Sequence, residues 1–65
     1  MAGRPRSAQA HRSVLDAAVT LFAERGIDGT SMDAIAGRSG VSKATIYKHW
    51  PNKDALALEL SLIHI

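Results

Sequence analysis

The stretch TSMDAIAGRSGVSKATIYKHWPNK, Thr30 to Lys53, decides the fold. It spells a helix, a tight turn, a second short helix and the capped start of another. Thr30 is an N-cap residue by type, and Asp33 three residues later makes a variant capping box. A helix is expected over residues 31–39, with Met32, Ile35 and Ala36 facing inward. Gly40 suits a left-handed turn position, and Val41 can tuck between the helices. Ser42 is the expected cap of the next helix, with Thr45 at its third position. That helix should run through His49. Ile46 and Trp50 are four apart and pack inward. Lys43, Ala44, Thr45, Lys48 and His49 are then left outside, with Tyr47 on the boundary. Pro51 stops the helix, because the residue before a proline is biased away from helical geometry. Asn52 caps a final helix starting near Lys53, and Asp54 suits its first turn.

The outer side of this unit is basic. Four of the eight Lys and Arg lie between Arg38 and Lys53, namely Arg38, Lys43, Lys48 and Lys53, and none of the six acids falls there. A short helix with a buried side and a cationic outer side suits the major groove of DNA. Charge alone fits solvated surface equally well; the helical context favours the groove.

Upstream, residues 9–25 carry a helical stripe. Val14, Ala17, Ala18, Leu21 and Phe22 recur at i, i+3, i+4, i+7 and i+8. Leu15 and Val19 widen it. Gly26 supplies the stop, and Arg25 complements the negative helix end. This helix is scaffold, although Arg12 near its start can reach a phosphate. Residues 1–8, MAGRPRSA, read as a disordered basic arm, since Gly3 and Pro5 oppose regular structure and nothing apolar anchors them. Arg4 and Arg6 resemble the minor-groove arms of some helical DNA binders; a free tail is the other reading. Downstream, Leu56, Leu60 and Ile63 form a stripe. Leu58, Leu62 and Ile65 lie off it, and residues 61–65 make an atypical apolar tail, as at a truncation or junction.

Composition sets further bounds. Sixty-five residues with a formal charge of +2 and pI ≈ 9.5 make one small domain. A chain this short buries only about 60% of its unfolded surface. With no cysteine there is no disulfide or thiolate metal site. His11, His49 and His64 are too scattered to indicate zinc. No secretory signal is legible, and no run approaches the ~20 apolar residues that cross a bilayer. An enzyme reading fails for want of a nucleophile–base pair, a phosphate-cradling glycine loop or paired carboxylates in a cleft. No cofactor or small-molecule site is expected in these residues.

Two functional classes remain. In the first, residues 42–49 read DNA. Lys43 donates to guanine O6 and N7, Ala44 approaches closely or meets a thymine methyl, and Thr45 serves a base or a phosphate. Tyr47, His49 and Lys53 donate toward the backbone, with Lys48 divided between phosphate and solvent. The amides at the start of the preceding helix assist, helped by Thr30 and Ser31. Packing for Tyr47 and an exposed end cap for His49 are the plainer alternatives. Trp50 is core, and Arg38 is surface. In the second class, an apolar C-terminal helix docks on a partner protein and the basic surface is incidental. Such an interaction module has no need for small polar residues at 42–45 beside Tyr47, His49 and Lys53.

Residues 9–60 resemble the N-terminal DNA-binding domain of the TetR family of bacterial transcriptional regulators. The resemblance rests on Ala17-Ala18, Leu21-Phe22 and Gly26, then Thr30-Ser31 and Ile35-Ala36. It continues through Gly40-Val41-Ser42, Thr45-Ile46-Tyr47, His49-Trp50 and Asn52-Lys53, with Leu56 beyond. It implies an all-α three-helix bundle of homeodomain-like type, containing a helix-turn-helix and the start of a fourth helix. Base or phosphate contacts are implied for Lys43, Ala44 and Thr45, and phosphate contacts for Tyr47, His49 and Lys53, with Thr30 and Ser31 assisting. The implied partner is double-stranded DNA at a palindromic operator, in the cytoplasm at the nucleoid, mostly in repression. Homodimerisation and ligand response are implied for the intact protein only, because the larger C-terminal domain of that plan lies beyond Ile65.

Overall fold

The computed structural model describes the backbone of residues 6–63 and the side chains of residues 8–62. Four helices follow in order: α1 Arg6–Arg25, α2 Met32–Ser39, α3 Lys43–His49 and α4 Lys53–Ile63. No strand occurs among the described residues. The all-α, helix-turn-helix reading therefore stands.

One core joins all four. Val14, Ala17, Ala18 and Leu21 of α1 meet Ile35 of α2, Ile46 of α3, Trp50 beyond it, and Leu56 and Leu60 of α4. The expected inward positions are buried, with Phe22, Met32, Ala36 and Val41 packed partly buried against them. Leu15 is also partly buried, whereas Val19 at the edge of the stripe is exposed. Leu58 and Leu62 stand 63% and 65% exposed, as their places off the stripe require. The side chain of Ile63 and all of His64 and Ile65 lie outside the described residues.

Two left-handed glycines turn the chain. Gly26, at φ 77°, donates its N–H to Phe22 O at 2.8 Å and closes α1. Gly40, at φ 75°, donates to Ala36 O at 3.0 Å and closes α2. Both use the capping conformation that a side chain disfavours.

Two boundaries differ from expectation. Helix α1 begins at Arg6, not Gln9, so residues 6–8 of the expected disordered arm are helical. Arg6, Ser7, Ala8 and Gln9 contain no breaker, and extending an established helix costs little per residue. Residues 1–5, with Arg4, lie outside the description, as does the Arg6 side chain.

The second correction concerns Thr30. Ser31 is the cap of α2, in extended backbone, with its Oγ accepting from Ala34 N at 3.0 Å. Thr30 is instead core, only 2% exposed, and its hydroxyl faces Gly26 O at 2.8 Å and Leu21 O at 3.3 Å. The last carbonyls of a helix lack helical N–H donors, and those beneath Thr30 need another one. Thr30 supplies that donor, which leaves capping to its neighbour.

Candidate nucleic-acid interface

Helix α3 has only seven residues and would be marginal alone. Its ends and its back hold it. Ser42 Oγ accepts from Thr45 N at 3.3 Å and its hydroxyl donates to Thr45 Oγ1 at 3.0 Å. Trp50, already in extended backbone, closes the other end through its N–H to Ile46 O at 2.9 Å. Ile46 is fully buried and Trp50 nearly so. That one-sided anchoring decides which side is free: Lys43, Ala44, Tyr47, Lys48 and His49 are exposed, and Thr45 partly so. Tyr47, expected on the boundary, is half exposed, so its ring is not core.

Behind α3 lies a polar tie. Trp50 Nε1 donates to Glu59 Oε1 at 2.9 Å, and His11 Nε2 lies 2.8 Å from Glu59 Oε2. The His11 ring centroid is 4.7 Å from that of Trp50, and the His49 ring is 5.5 Å away on α3. One carboxylate thus joins α1, the end of α3 and α4. The indole hydrogen bond holds the Glu59 carboxyl below its ordinary value. Partial burial opposes this, and the His11 hydrogen bond and the two imidazoles reinforce it. Sequence patterning did not reveal this tie. Its one available signal was a lone acid beyond the first turn of α4.

Lys43 at the start of α3 and Lys53 at the start of α4 are both engaged. Lys43 Nζ lies 2.7 Å from Asp33 Oδ1, an ion pair linking the first turns of α3 and α2. The Asp33 hydrogen bond and charge raise the Lys43 ammonium above its ordinary value. This use of Asp33 was also missed, since its position already fitted a capping box. Lys53 Nζ donates to Thr30 O at 2.8 Å and Asp28 O at 3.4 Å. It was expected to face phosphate alone; in this state it also secures the loop ahead of α2. An ammonium has three N–H groups, and two are directed inward.

Of the remaining expected site residues, Ser31 and Ser42 are exposed caps at the starts of α2 and α3. Thr30 is not an accessible contact, because its side chain is buried and its hydroxyl committed. Arg12 and Arg38 are exposed on α1 and α2. Among the described residues no group of His, Asp and Glu is arranged to hold a metal ion. No described helix is long and apolar enough to cross a membrane.

A capped short helix, set on a second helix through a left-handed glycine turn and buttressed by a third, defines a helix-turn-helix domain. Residues 14–60 match the family described as "Bacterial regulatory proteins, tetR family". The chain belongs to the TetR family. It is 49% identical over 57 residues to the uncharacterized HTH-type transcriptional regulator YdeS of Bacillus subtilis (strain 168), covering 88% of this chain and 29% of that protein. It is 42% identical over 43 residues to the biofilm operon icaADBC HTH-type negative transcriptional regulator IcaR of Staphylococcus epidermidis, covering 66% and 23%. IcaR of Staphylococcus aureus (strain Newman) matches to the same extent. The chain therefore spans less than a third of the length of these relatives. No solved structure matches it significantly.

Proposed function

We propose that this domain binds double-stranded DNA sequence-selectively, with α3 in the major groove and the start of α2 on the adjacent phosphates. One observation carries the reading: α3 buries only Ile46, with Trp50 just beyond its end, so its other side chains form an exposed or partly exposed polar and cationic side. Seven residues at ~1.5 Å each span roughly 10 Å, a length that fits a groove about 12 Å wide.

Roles follow from chemistry. Lys43, Ala44 and Thr45, on the first turn of α3, meet base edges, and a good bidentate contact discriminates by ~1–3 kcal/mol. Tyr47, Lys48 and His49, with Ser31, Ser42 and the third N–H of Lys53, meet phosphates and set register. Thr30 acts from inside, by holding the loop that presents Ser31. In the intact protein the domain serves a transcriptional regulator, in the sense of the negative regulators it resembles. Such a protein acts as a homodimer on a palindromic operator in the bacterial cytoplasm, under control of a ligand bound elsewhere. The chain acts as a reader and not as an enzyme. The matched relatives are transcriptional regulators, which leaves the interaction-module reading without support.

The test is an amide NMR titration of this chain with a short random-sequence duplex at low salt. Shifts concentrated at residues 31–33, 42–50 and 53 are the expected result. They should fade steeply as salt rises, because each phosphate contact releases a counterion. A dispersed spectrum indifferent to DNA would overturn the reading.

A further inference from the structure

Asp33 is the one carboxylate between Asp28 and Asp54. It stands on the exposed first turn of α2, inside the surface proposed to meet DNA. A carboxylate there repels phosphate whatever the base sequence, and helix-dipole stabilisation does not need this particular position. Its partner makes it informative. The carboxylate lies 2.7 Å from the ammonium of Lys43, the first residue of α3, and both groups are open to solvent.

We infer that Asp33 is a specificity-determining residue: by pairing with Lys43 it withholds that cation from phosphates and releases it only where a base edge offers acceptors. The inference rests on the DNA-binding reading above. Non-selective binding depends on the number of phosphates neutralised. While Lys43 stays on Asp33, its charge is cancelled locally, and random sequence gains nothing from it. At a site presenting guanine O6 and N7 beneath α3, the ammonium has two acceptors in place of the carboxylate. The exchange is then close to even. Discrimination arises because the wrong sites are denied a contact, which is the repulsive half of specificity.

The geometry makes the pair suited to this. Asp33 and Lys43 sit on different helices, so their contact depends on the α2–α3 arrangement and not on a local turn. The Asp33 side chain is 76% and the Lys43 side chain 50% exposed. An exposed pair of this kind contributes little, so it biases Lys43 away from other acceptors without locking it, and the expected change in preference is correspondingly small. A buried pair would be too costly to open.

The experiment uses this chain, a pool of 20-base-pair duplexes with randomised sequence, and the duplexes that the wild-type chain enriches from that pool. Affinities for pool and enriched duplexes are measured over a salt series for wild type, Asp33→Asn, Asp33→Glu, Lys43→Ala and the Asp33→Asn/Lys43→Ala double variant. Thermal melts establish that each variant folds. Asp33→Asn should tighten pool binding and steepen its salt slope by about one phosphate contact. Binding to enriched duplexes should change less, so the preference should fall about two- to five-fold. Asp33→Glu retains the charge and should retain the preference. In the Lys43→Ala background Asp33→Asn should leave the preference unaltered. Equal tightening on both kinds of duplex would reduce Asp33 to simple repulsion and overturn the inference, as would an unchanged preference. Either result leaves the DNA-binding reading intact. Failure of the wild-type chain to bind or enrich any duplex overturns that reading, and this inference with it.

Discussion

Replacing Glu59 by Gln isolates the electrostatic part of the tie behind α3. The substitution keeps the shape and an acceptor oxygen for Trp50 Nε1, now 2.9 Å from Oε1, and removes the charge. A hydrogen bond to a charged group contributes about 1.5–3 kcal/mol and a neutral one about 0.5–1.5. The difference is about 1 kcal/mol. The carboxylate is 34% exposed, so solvent screening brings the expected loss to roughly 0.5–1 kcal/mol. Glu59→Ala should lose more, about 2 kcal/mol, because the nearly buried indole N–H and His11 Nε2 both lose their acceptor. In a domain of this size each kcal/mol lowers Tm by roughly 4–8 °C. Thermal melts by circular dichroism give these values. Fluorescence of Trp50, the one tryptophan, follows the site itself. The pH dependence supplies the sharper check. Folding lowers the Glu59 carboxyl from its ordinary value of 4.5. Its contribution is therefore complete above that value and is lost as pH falls through the lower folded value. The gap between wild type and Gln should be flat from neutral pH to about 5 and close in more acid solution. A Gln variant as unstable as Ala at neutral pH would refute the charge argument. So would a gap that does not close in acid.

Four other substitutions probe the rest of the scaffold and surface. Thr30→Val should cost about 1–2 kcal/mol by leaving the Gly26 carbonyl without its 2.8 Å donor, while Thr30→Ser should retain most of the stability; urea titration distinguishes them. Gly40→Ala should cost about 1 kcal/mol in the same titration. Nothing lies within 4 Å of an added Cβ, so the loss is purely the left-handed backbone at φ 75°. Ser42→Ala should remove about 1 kcal/mol of capping and fray the first turn of α3, seen as faster amide exchange at Thr45. Lys53→Ala should weaken binding to all duplex sequences about equally in a selection from random DNA, with some loss of stability from the freed Thr30 and Asp28 carbonyls; a sequence-selective loss would contradict its phosphate role.

Much of this was legible because the local signals agreed. The spacing of Val14 to Phe22, the glycines at 26 and 40, Ser42 and Asn52 as caps, and the Ile46–Trp50 pair each pointed to the helices observed. Asn52 Oδ1 accepts from Ala55 N at 2.9 Å, as its type and place require. What was misread involves polar groups with two possible employers. Thr30 and Ser31 are equally good caps by composition. Only the path of the chain leaving α1 shows that one hydroxyl is needed inside. Asp33 fits a capping box and an ion pair equally well, and the choice depends on where α3 lies. Glu59, His11 and Trp50 are 48 and 9 residues apart in their two contacts, beyond the reach of any local pattern. On the candidate site, exposure of 43, 44, 48 and 49 followed from period alone, whereas Thr45, expected outside, is partly buried and Tyr47, expected on the boundary, is half exposed. The engagement of Lys43 and Lys53 with protein acceptors did not.

That engagement separates the two lysines physically. Lys43 holds a carboxylate at its tip, in solvent; meeting DNA requires it to change acceptors. Lys53 holds two backbone carbonyls of the segment that carries Ser31. These take two of its three N–H groups, so it can approach a phosphate with the remaining one while keeping them. The proposed roles follow from this difference. A cation that must exchange partners responds to what the partner is, and so to base identity. A cation that adds a partner responds only to charge, which every sequence presents. Both depend on α3 and the loop before α2 being placed before DNA arrives. The buried Thr30 hydroxyl and the Trp50–Glu59–His11 tie hold those two segments from behind. On the proposed roles, little of the interaction energy is then spent on ordering the surface that meets DNA, and the acceptor offered to Lys43 decides between sites.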